Sequence, residues 1–223
     1  MPWTVTITGA DDAVDPLDLA NLSANFPFVE WAILFSKSRE GTPRYPSLAW
    51  RHRFATLAAE RGMRVAAHLC GAWARDFMDG RLPALAAVWQ RVQLNGVDVQ
   101  QGDAIRAYPG ELILQCRSEA DLPAVAEVVR VWHGPQRTSV LFDPSGGRGL
   151  EPFRWPVAPL GVRMGYAGGI GPDNVRDVLA ALGPVEPTWI DMESGVRGEG
   201  DVFSLHRVCR VLEQVASMAE GRR

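Results

Sequence analysis

Short apolar runs recur along the chain, separated by stretches of helical spacing. The runs at 3–8, 29–35, 63–69, 92–95, 111–115, 139–142, 162–166 and 188–192 predict eight strands. Most are continuously apolar rather than alternating, which is the pattern of parallel strands covered on both faces. Helices are predicted at 15–24, 48–61, 119–132, 172–182 and 202–218. One or two more fill 73–90, interrupted at Gly80 and Pro83, and a short one covers 102–108. Strand and helix alternate with no block of strands alone, which points to an α/β fold with a parallel sheet. At 223 residues, eight units leave little spare chain. The expectation is a compact single-domain (β/α)8 barrel, a TIM barrel, spanning residues 1–223. A doubly wound open sheet is the alternative, but no GxGxxG follows the first run. No linker, low-complexity tract or longer repeat divides the chain.

Composition narrows the partners. Apolar residues make up 47% and charged residues 22%, a balance that favours a packed globule over a disordered chain. The net charge of −3 gives no footprint for nucleic acid. No apolar run is long enough to cross a membrane, and the N-terminus lacks a basic and apolar leader pattern. Cys70, Cys116 and Cys209 are odd in number and widely spaced, which argues against a disulfide framework or a zinc knuckle. A cytoplasmic protein is expected. Tryptophans on predicted outer helices (Trp50, Trp73, Trp132) leave room for a homodimer as well as a monomer.

In a (β/α)8 barrel the chemistry sits at the C-terminal ends of the strands. The predicted ends are Thr8, Lys37, His68, Asn95, Gln115, Asp143, Gly168 and Glu193. The strongest signal is a pair of late segments. Tyr166 to Val175 runs from a strand through Gly168-Gly169 into a helix, and Ile190 to Val196 closes the last strand with Ser194-Gly195. Loops after strands seven and eight often form a phosphate site from backbone N–H groups and a helix N-terminus. A lone Gly-Gly would be read as a tight turn, but two such segments in this order favour phosphate.

Asp143 ends the sixth strand before a glycine-rich loop. A carboxylate there can transfer protons, and a turn aspartate is the blander use of Asp before Pro and Gly. The loop after strand two carries Lys37, Arg39 and Arg44; an arginine binds phosphate or carboxylate bidentately. Lys37 and Arg39 individually read as solvated. His68 reads as a hydrogen-bonded core histidine more than a catalyst. Glu193 adds negative charge where a phosphate loop avoids it, and reads as a surface residue pointing away, with a base in unusual chemistry as the other reading.

These residues together resemble phosphoribosylanthranilate isomerase, a barrel of the tryptophan pathway, over most of the length. Val5-Thr6-Ile7-Thr8-Gly9 is similar to the family's V-K-I-C-G. Phe35-Ser36-Lys37-Ser38 through Arg44-Tyr45 resembles its P-K-S-x-R-Y loop with an insertion. Val92-Gln93-Leu94-Asn95 resembles its V-Q-L-[HN], and Leu141-Phe142-Asp143 with Gly146 to Gly149 its L-L-D…G-G-[ST]-G. The segment from Ala167 to Val175 is similar to its G-G-L-x-P-x-N-V, and Asp191 to Val196 to its D-V-S-S-G-V.

The resemblance implies an Amadori rearrangement of a phosphoribosyl-amine to an aminodeoxyketose, with no metal or organic cofactor. It implies Asp143 as general acid, Gly168, Gly169, Ser194 and Gly195 as phosphate loops, and Arg44 as a substrate-binding arginine. The family's general base is a cysteine, and Thr8 stands at its position. A hydroxyl needs a neighbouring base to act as one. None is evident in the first strand, and Asp11 and Asp12 lie further along. The family's histidine after strand four is replaced near Gln100 or Gln101. Three expectations follow: an isomerase of this type with an altered base, a related barrel with another isomerase or lyase reaction on a phosphorylated metabolite, or a non-catalytic metabolite-binding protein. The working groups for the second would be Asp143, His68, Lys37 and Glu193.

Overall fold

The computed structural model describes residues 3–81, 88–96, 108–132, 138–146, 148–150, 152–183 and 189–220. Eight strands follow in order: β1 Thr4–Thr8, β2 Val29–Phe35, β3 Val65–Cys70, β4 Arg91–Asn95, β5 Glu111–Cys116, β6 Thr138–Phe142, β7 Met164–Ala167 and β8 Trp189–Met192. Among the described residues, six α-helices lie between or after them: α1 Pro16–Asn25, α2 Leu48–Arg61, α3 Ala72–Met78, α4 Leu122–Trp132, α5 Val175–Leu182 and α6 Leu205–Glu220. Each strand pairs in parallel with the next, and β1 pairs with β8, so the sheet closes into a (β/α)8 barrel. Closure excludes the open doubly wound sheet. The expected helix at 102–108 and the positions Gln100 and Gln101 lie outside the described residues, apart from Tyr108. Among the described residues, the β6–β7 connection carries no helix.

Local chemistry sets the element ends. The Asp15 side chain accepts from the Leu17 amide at the start of α1, with Pro16 in the first turn, an arrangement that satisfies an otherwise orphan donor. Ser47 caps α2 in the same way, and Gly62 ends it in the left-handed region. Trp50 does not offer an outer surface: it is 4% exposed, stacks on Phe54 and donates its indole N–H to the Val14 carbonyl. Its place in helix spacing suggested an outer face, but α2 turns that face onto the barrel. Trp73 is half-buried against Phe35.

The N-terminal end of the barrel is plugged by charge. Arg91, the first residue of β4, donates to Glu30 of β2 at 2.8 Å and to Glu111 of β5 at 3.3 Å. Arg163 donates to Glu111 at 2.5 Å. Both guanidiniums face the Trp189 ring, at 4.2 and 5.1 Å from its centre. Opposite charges balance there, as buried ions require. The floor is therefore closed, and the open space lies at the C-terminal ends of the strands. Among the described residues, no helix is long and apolar enough to cross a membrane.

Candidate active site

At the C-terminal end, the strand ends and their loops enclose a cavity of about 670 Å³. Its wall brings together most of the expected residues: Asp143, Gly168, Gly169, Ser194, Gly195, Arg44, His68 and Glu193. Lys37 is not on that wall. Its ammonium pairs with Asp76 at 2.5 Å on the outer side and lies 5.8 Å from the Trp73 ring.

The last three loops are built around one another. Gly195 touches the β7 loop so closely that an added Cβ would lie 1.9 Å from the Ile170 carbonyl oxygen. Gly168 has φ of 122°, and a Cβ there would meet the Leu150 carbonyl at 2.8 Å. Only glycine fits either position. Asn174 staples the β7 loop from inside, accepting from the Gly171 amide at 2.9 Å and donating to the Gly169 carbonyl at 3.0 Å. The Gly-Gly signal in the sequence is thus accounted for by close loop contact, with Ser194-Gly195 and Gly168-Gly169 on the same cavity wall.

Asp143 is 5% exposed and accepts from Ser145 Oγ at 2.7 Å and from Gln115 Nε2 at 3.0 Å. These bonds hold both carboxylate oxygens at the cavity wall.

Thr8 lies beneath the cavity and is 1% exposed. Its Oγ1 donates to Asp191 Oδ1 at 2.6 Å. β8, the neighbour of β1 across the barrel seam, thus places a carboxylate beside the Thr8 hydroxyl. Asp191 itself is on the cavity wall. Burial is the main cause that pushes its carboxyl up to about 8, helped by the charges of Glu193, Asp143 and Glu30, while the Thr8 bond pulls it down. Sequence reasoning passed over Asp191, although an aspartate between Ile190 and Met192 in an apolar run is a visible sign of a buried carboxylate. Asp11 and Asp12, the alternative carboxylates near β1, are otherwise engaged. Asp11 accepts from the Arg44 amide and from Arg197, and Asp12 from Ser47.

Glu193 does not point away, as expected from its charge. Its carboxylate accepts from Arg44 Nη1 at 2.6 Å inside the mouth. Arg44 also donates twice to Asp201 from Nε, at 2.8 and 3.1 Å, and once from Nη2 at 2.6 Å, and reaches Ser194 Oγ at 3.3 Å. One guanidinium thus serves two carboxylates, which holds the Glu193 charge against a cation inside the mouth. Burial pushes the Glu193 carboxyl up and the Arg44 contact draws it back. Arg44 and Asp201 are the two non-glycine residues with positive φ among those described, at 75° and 59°. Such strain persists where surrounding contacts over-determine it, and it clusters at functional sites. Arg39 also lines the cavity, with its guanidinium 5.4 Å from the Tyr45 ring.

His68 and Gln93 are side by side in the β3–β4 register, 2% and 3% exposed. Burial, together with the nearby Arg91 charge, pushes His68 down to about 3, so the ring is neutral. Its Nε2 has no hydrogen-bond partner, so His68 is not the satisfied core histidine expected from the sequence. Among the described residues, no group of three or more His, Cys, Asp and Glu is placed to hold a metal ion.

N-(5'-phosphoribosyl)anthranilate isomerase of Synechococcus sp. (strain JA-3-3Ab) is 35% identical over 115 residues, 47% of this chain and 46% of that protein. The chain is similar to phosphoribosylanthranilate isomerase. The match spans less than half the length of that curated relative. The phosphoribosyl anthranilate isomerase structure from Thermus thermophilus aligns with a TM-score of 0.61 at 20% identity, over 96% of this chain and 99% of that one. The Thermotoga maritima phosphoribosyl anthranilate isomerase gives 0.65 at 16%, over 96% and 98%. A truncated 3-deoxy-D-arabino-heptulosonate 7-phosphate synthase from Thermotoga maritima also gives 0.65, at 12%, over 99% and 88%. At these identities the structures show the barrel fold, and they include more than one reaction. No family model matches the chain.

Proposed function

We propose that this barrel isomerises a phosphorylated N-substituted aminoaldose to the corresponding aminoketose, as an isomerase of the phosphoribosylanthranilate isomerase type with a relocated base. The observation that carries the reading is the pair of buried carboxyl groups on one cavity wall, Asp143 and Asp191, with Thr8 bonded to the latter. The phosphate would lie against Gly168-Gly169 and Ser194-Gly195, which line the cavity beside Arg44.

Asp143 gives a proton to the ring oxygen as the C1–O bond breaks, and the amine lone pair forms the C1=N bond. Asp191 takes the proton from C2, and the C–H electrons become the C1=C2 bond of an enol-amine. A proton then returns to C1 from Asp191 while the C2 hydroxyl gives its own to Asp143, and the O–H electrons form the C2 ketone. A carboxylate whose proton is held near neutral pH is a stronger base than an ordinary one, which suits C–H abstraction. Thr8 Oγ1 fixes the orientation of Asp191 and contributes no proton of its own. The reaction needs no external oxidant, because C1 is reduced as C2 is oxidised.

The test uses phosphoribosylamines formed in situ from ribose 5-phosphate and a panel of arylamines, anthranilate among them, followed by fluorescence. Turnover of at least one member that disappears in both Asp143→Asn and Asp191→Asn is the expected result. No turnover of any member by the unaltered protein overturns the reading.

A further inference from the structure

In a (β/α)8 barrel a helix ordinarily covers the outer side of each strand pair. Between β6 and β7 the described residues supply none, and an extended strap at 152–163 takes its place. It leaves the mouth where the Leu150 carbonyl and Pro152 lie close to Gly168, and it ends at the start of β7. The strap is firmly seated. Trp155 meets Tyr166 edge to face at 5.8 Å, and the Tyr166 hydroxyl donates to the Pro156 carbonyl at 2.8 Å. Both ends are tied to α4. Arg154 pairs with Glu119, just before that helix, at 2.8 Å, and Arg130 in its last turn donates to the Leu160 carbonyl at 3.3 Å. The strap therefore lies alongside α4.

Trp155 and Ala158 pack on the core, and the apolar side chains between and beside them turn out. Phe153 is exposed in full, Leu160 at 93% and Val157 at 85%. Of the eight large apolar side chains exposed among the described residues, four lie at 150–160, and a fifth, Val131, is next to Arg130 in α4. Together these five expose the equivalent of about four whole residues, roughly 700 Å² for side chains of this size. The largest apolar patch of a typical monomer is about 300–600 Å². A stable interface covers about 800 Å² on each partner. The charges paired along this flank are balanced, Arg154 with Glu119 and Arg130 with Glu127. A nucleic acid or an anionic membrane calls for an excess of positive charge. A second copy of the same surface meets equal numbers of each sign, as a self-complementary twofold contact requires.

We propose that this flank is the interface of a twofold homodimer, in which Phe153, Val157 and Leu160 of each copy pack against the strap and α4 of the other. The second copy does for the β6–β7 side of the barrel what a covering helix does elsewhere: it takes the apolar stripe out of water. The dimer is independent of the reaction assigned to the cavity.

Sedimentation equilibrium of the full chain at micromolar concentrations tests it. The expected mass is twice that of the 24.4 kDa chain. Phe153→Ser combined with Leu160→Ser should raise the dissociation constant at least about a hundredfold, the scale of central interface side chains. Leu17→Ser combined with Leu48→Ser removes exposed apolar side chains from α1 and α2 instead, and should leave the dimer intact. Amide exchange of the unaltered protein gives a second reading that needs no variant. Exchange at 153–160 and in α4 should slow as concentration rises. A monomer throughout the range overturns the proposal and leaves the stripe to a different protein. A dimer that survives Phe153→Ser with Leu160→Ser, or a doubled mass with no change in exchange at 153–160, moves the contact to another face and overturns it too. So do loss of the dimer in both variants and growth into species larger than a dimer.

Discussion

Thr8 Oγ1 donates a 2.6 Å hydrogen bond to Asp191 Oδ1 across the seam where β1 meets β8. The two residues are 183 positions apart in sequence and both are almost fully buried. The bond favours the ionised form of Asp191, while burial and the charges of Glu193, Asp143 and Glu30 oppose it. Their balance leaves the carboxyl at about 8, close to the pH at which a base is both available and strong.

If Asp191 is the base, kcat/KM should rise with pH and level off above about 8. Asp191→Asn should lower it at least about a hundredfold, the usual scale of a general base. Thr8→Val removes a bond that stabilises the carboxylate, so it should shift the rise to higher pH. A pH–rate profile of the three proteins checks this. An unshifted Thr8→Val profile would show that Thr8 only fills space.

The same group makes stability depend on pH. The folded carboxyl holds its proton up to about 8, whereas the ordinary value is 3.8. Between these values the folded state binds more protons than the unfolded one, so stability falls as pH rises through that window. Asp191→Asn removes the buried charge that appears above it. The variant should melt close to the unaltered protein at pH 5 and several degrees above it at pH 9, since 1 kcal/mol is worth about 2–4 °C at this size. Calorimetric melts at the two pH values decide it, and a gap of equal size at both would exclude Asp191 as its source.

The barrel was readable because buried parallel strands leave continuous apolar runs, and those at 29–35 and 111–115 fall on β2 and β5 nearly residue for residue. The glycine pairs were readable because a close approach such as Gly195 on Ile170 admits no side chain. Asp191 was not readable as a partner of Thr8, because only the closing β1–β8 register brings them together. Glu193 was misjudged for a related reason. Its charge looked unfavourable until the β2 loop was seen to bring Arg44 over it. That His68 Nε2 lies buried without a partner is likewise a tertiary fact.

Gly195→Ala should damage the site from behind. The added methyl carbon would meet the Ile170 carbonyl at 1.9 Å, and backbone on both sides leaves no cheap relief. The β7 and β8 loops would have to separate. Overpacking of this kind costs about 1–3 kcal/mol. The urea midpoint should fall, and KM for a phosphoribosylamine should rise by at least tenfold with a smaller change in kcat. An unchanged KM in a destabilised protein would place the phosphate elsewhere.

Glu193→Gln should tighten the binding of phosphorylated ligands. Glu193 and Asp201 both hold Arg44, beside Ser194. A phosphate placed at Ser194-Gly195 must share that guanidinium with two carboxylates already on it. At a separation of about 7 Å and an effective dielectric near 20, one opposing unit charge costs about 2 kcal/mol. Neutralising Glu193 removes that repulsion and keeps the Asp201 contacts that hold Arg44 in place. Losing a partly exposed ion pair costs about 0–1 kcal/mol, so the fold should survive. The dissociation constant for ribose 5-phosphate should fall about tenfold or more at low salt, since tenfold is 1.4 kcal/mol. The gain should shrink as salt rises, because screening shortens to about 10 Å at 0.1 M. Titration calorimetry at two salt concentrations measures both effects. Weaker binding in Glu193→Gln would mean that Glu193 is needed to aim Arg44 at the ligand, and that the two carboxylates act as a cradle for the guanidinium instead of as competitors for it.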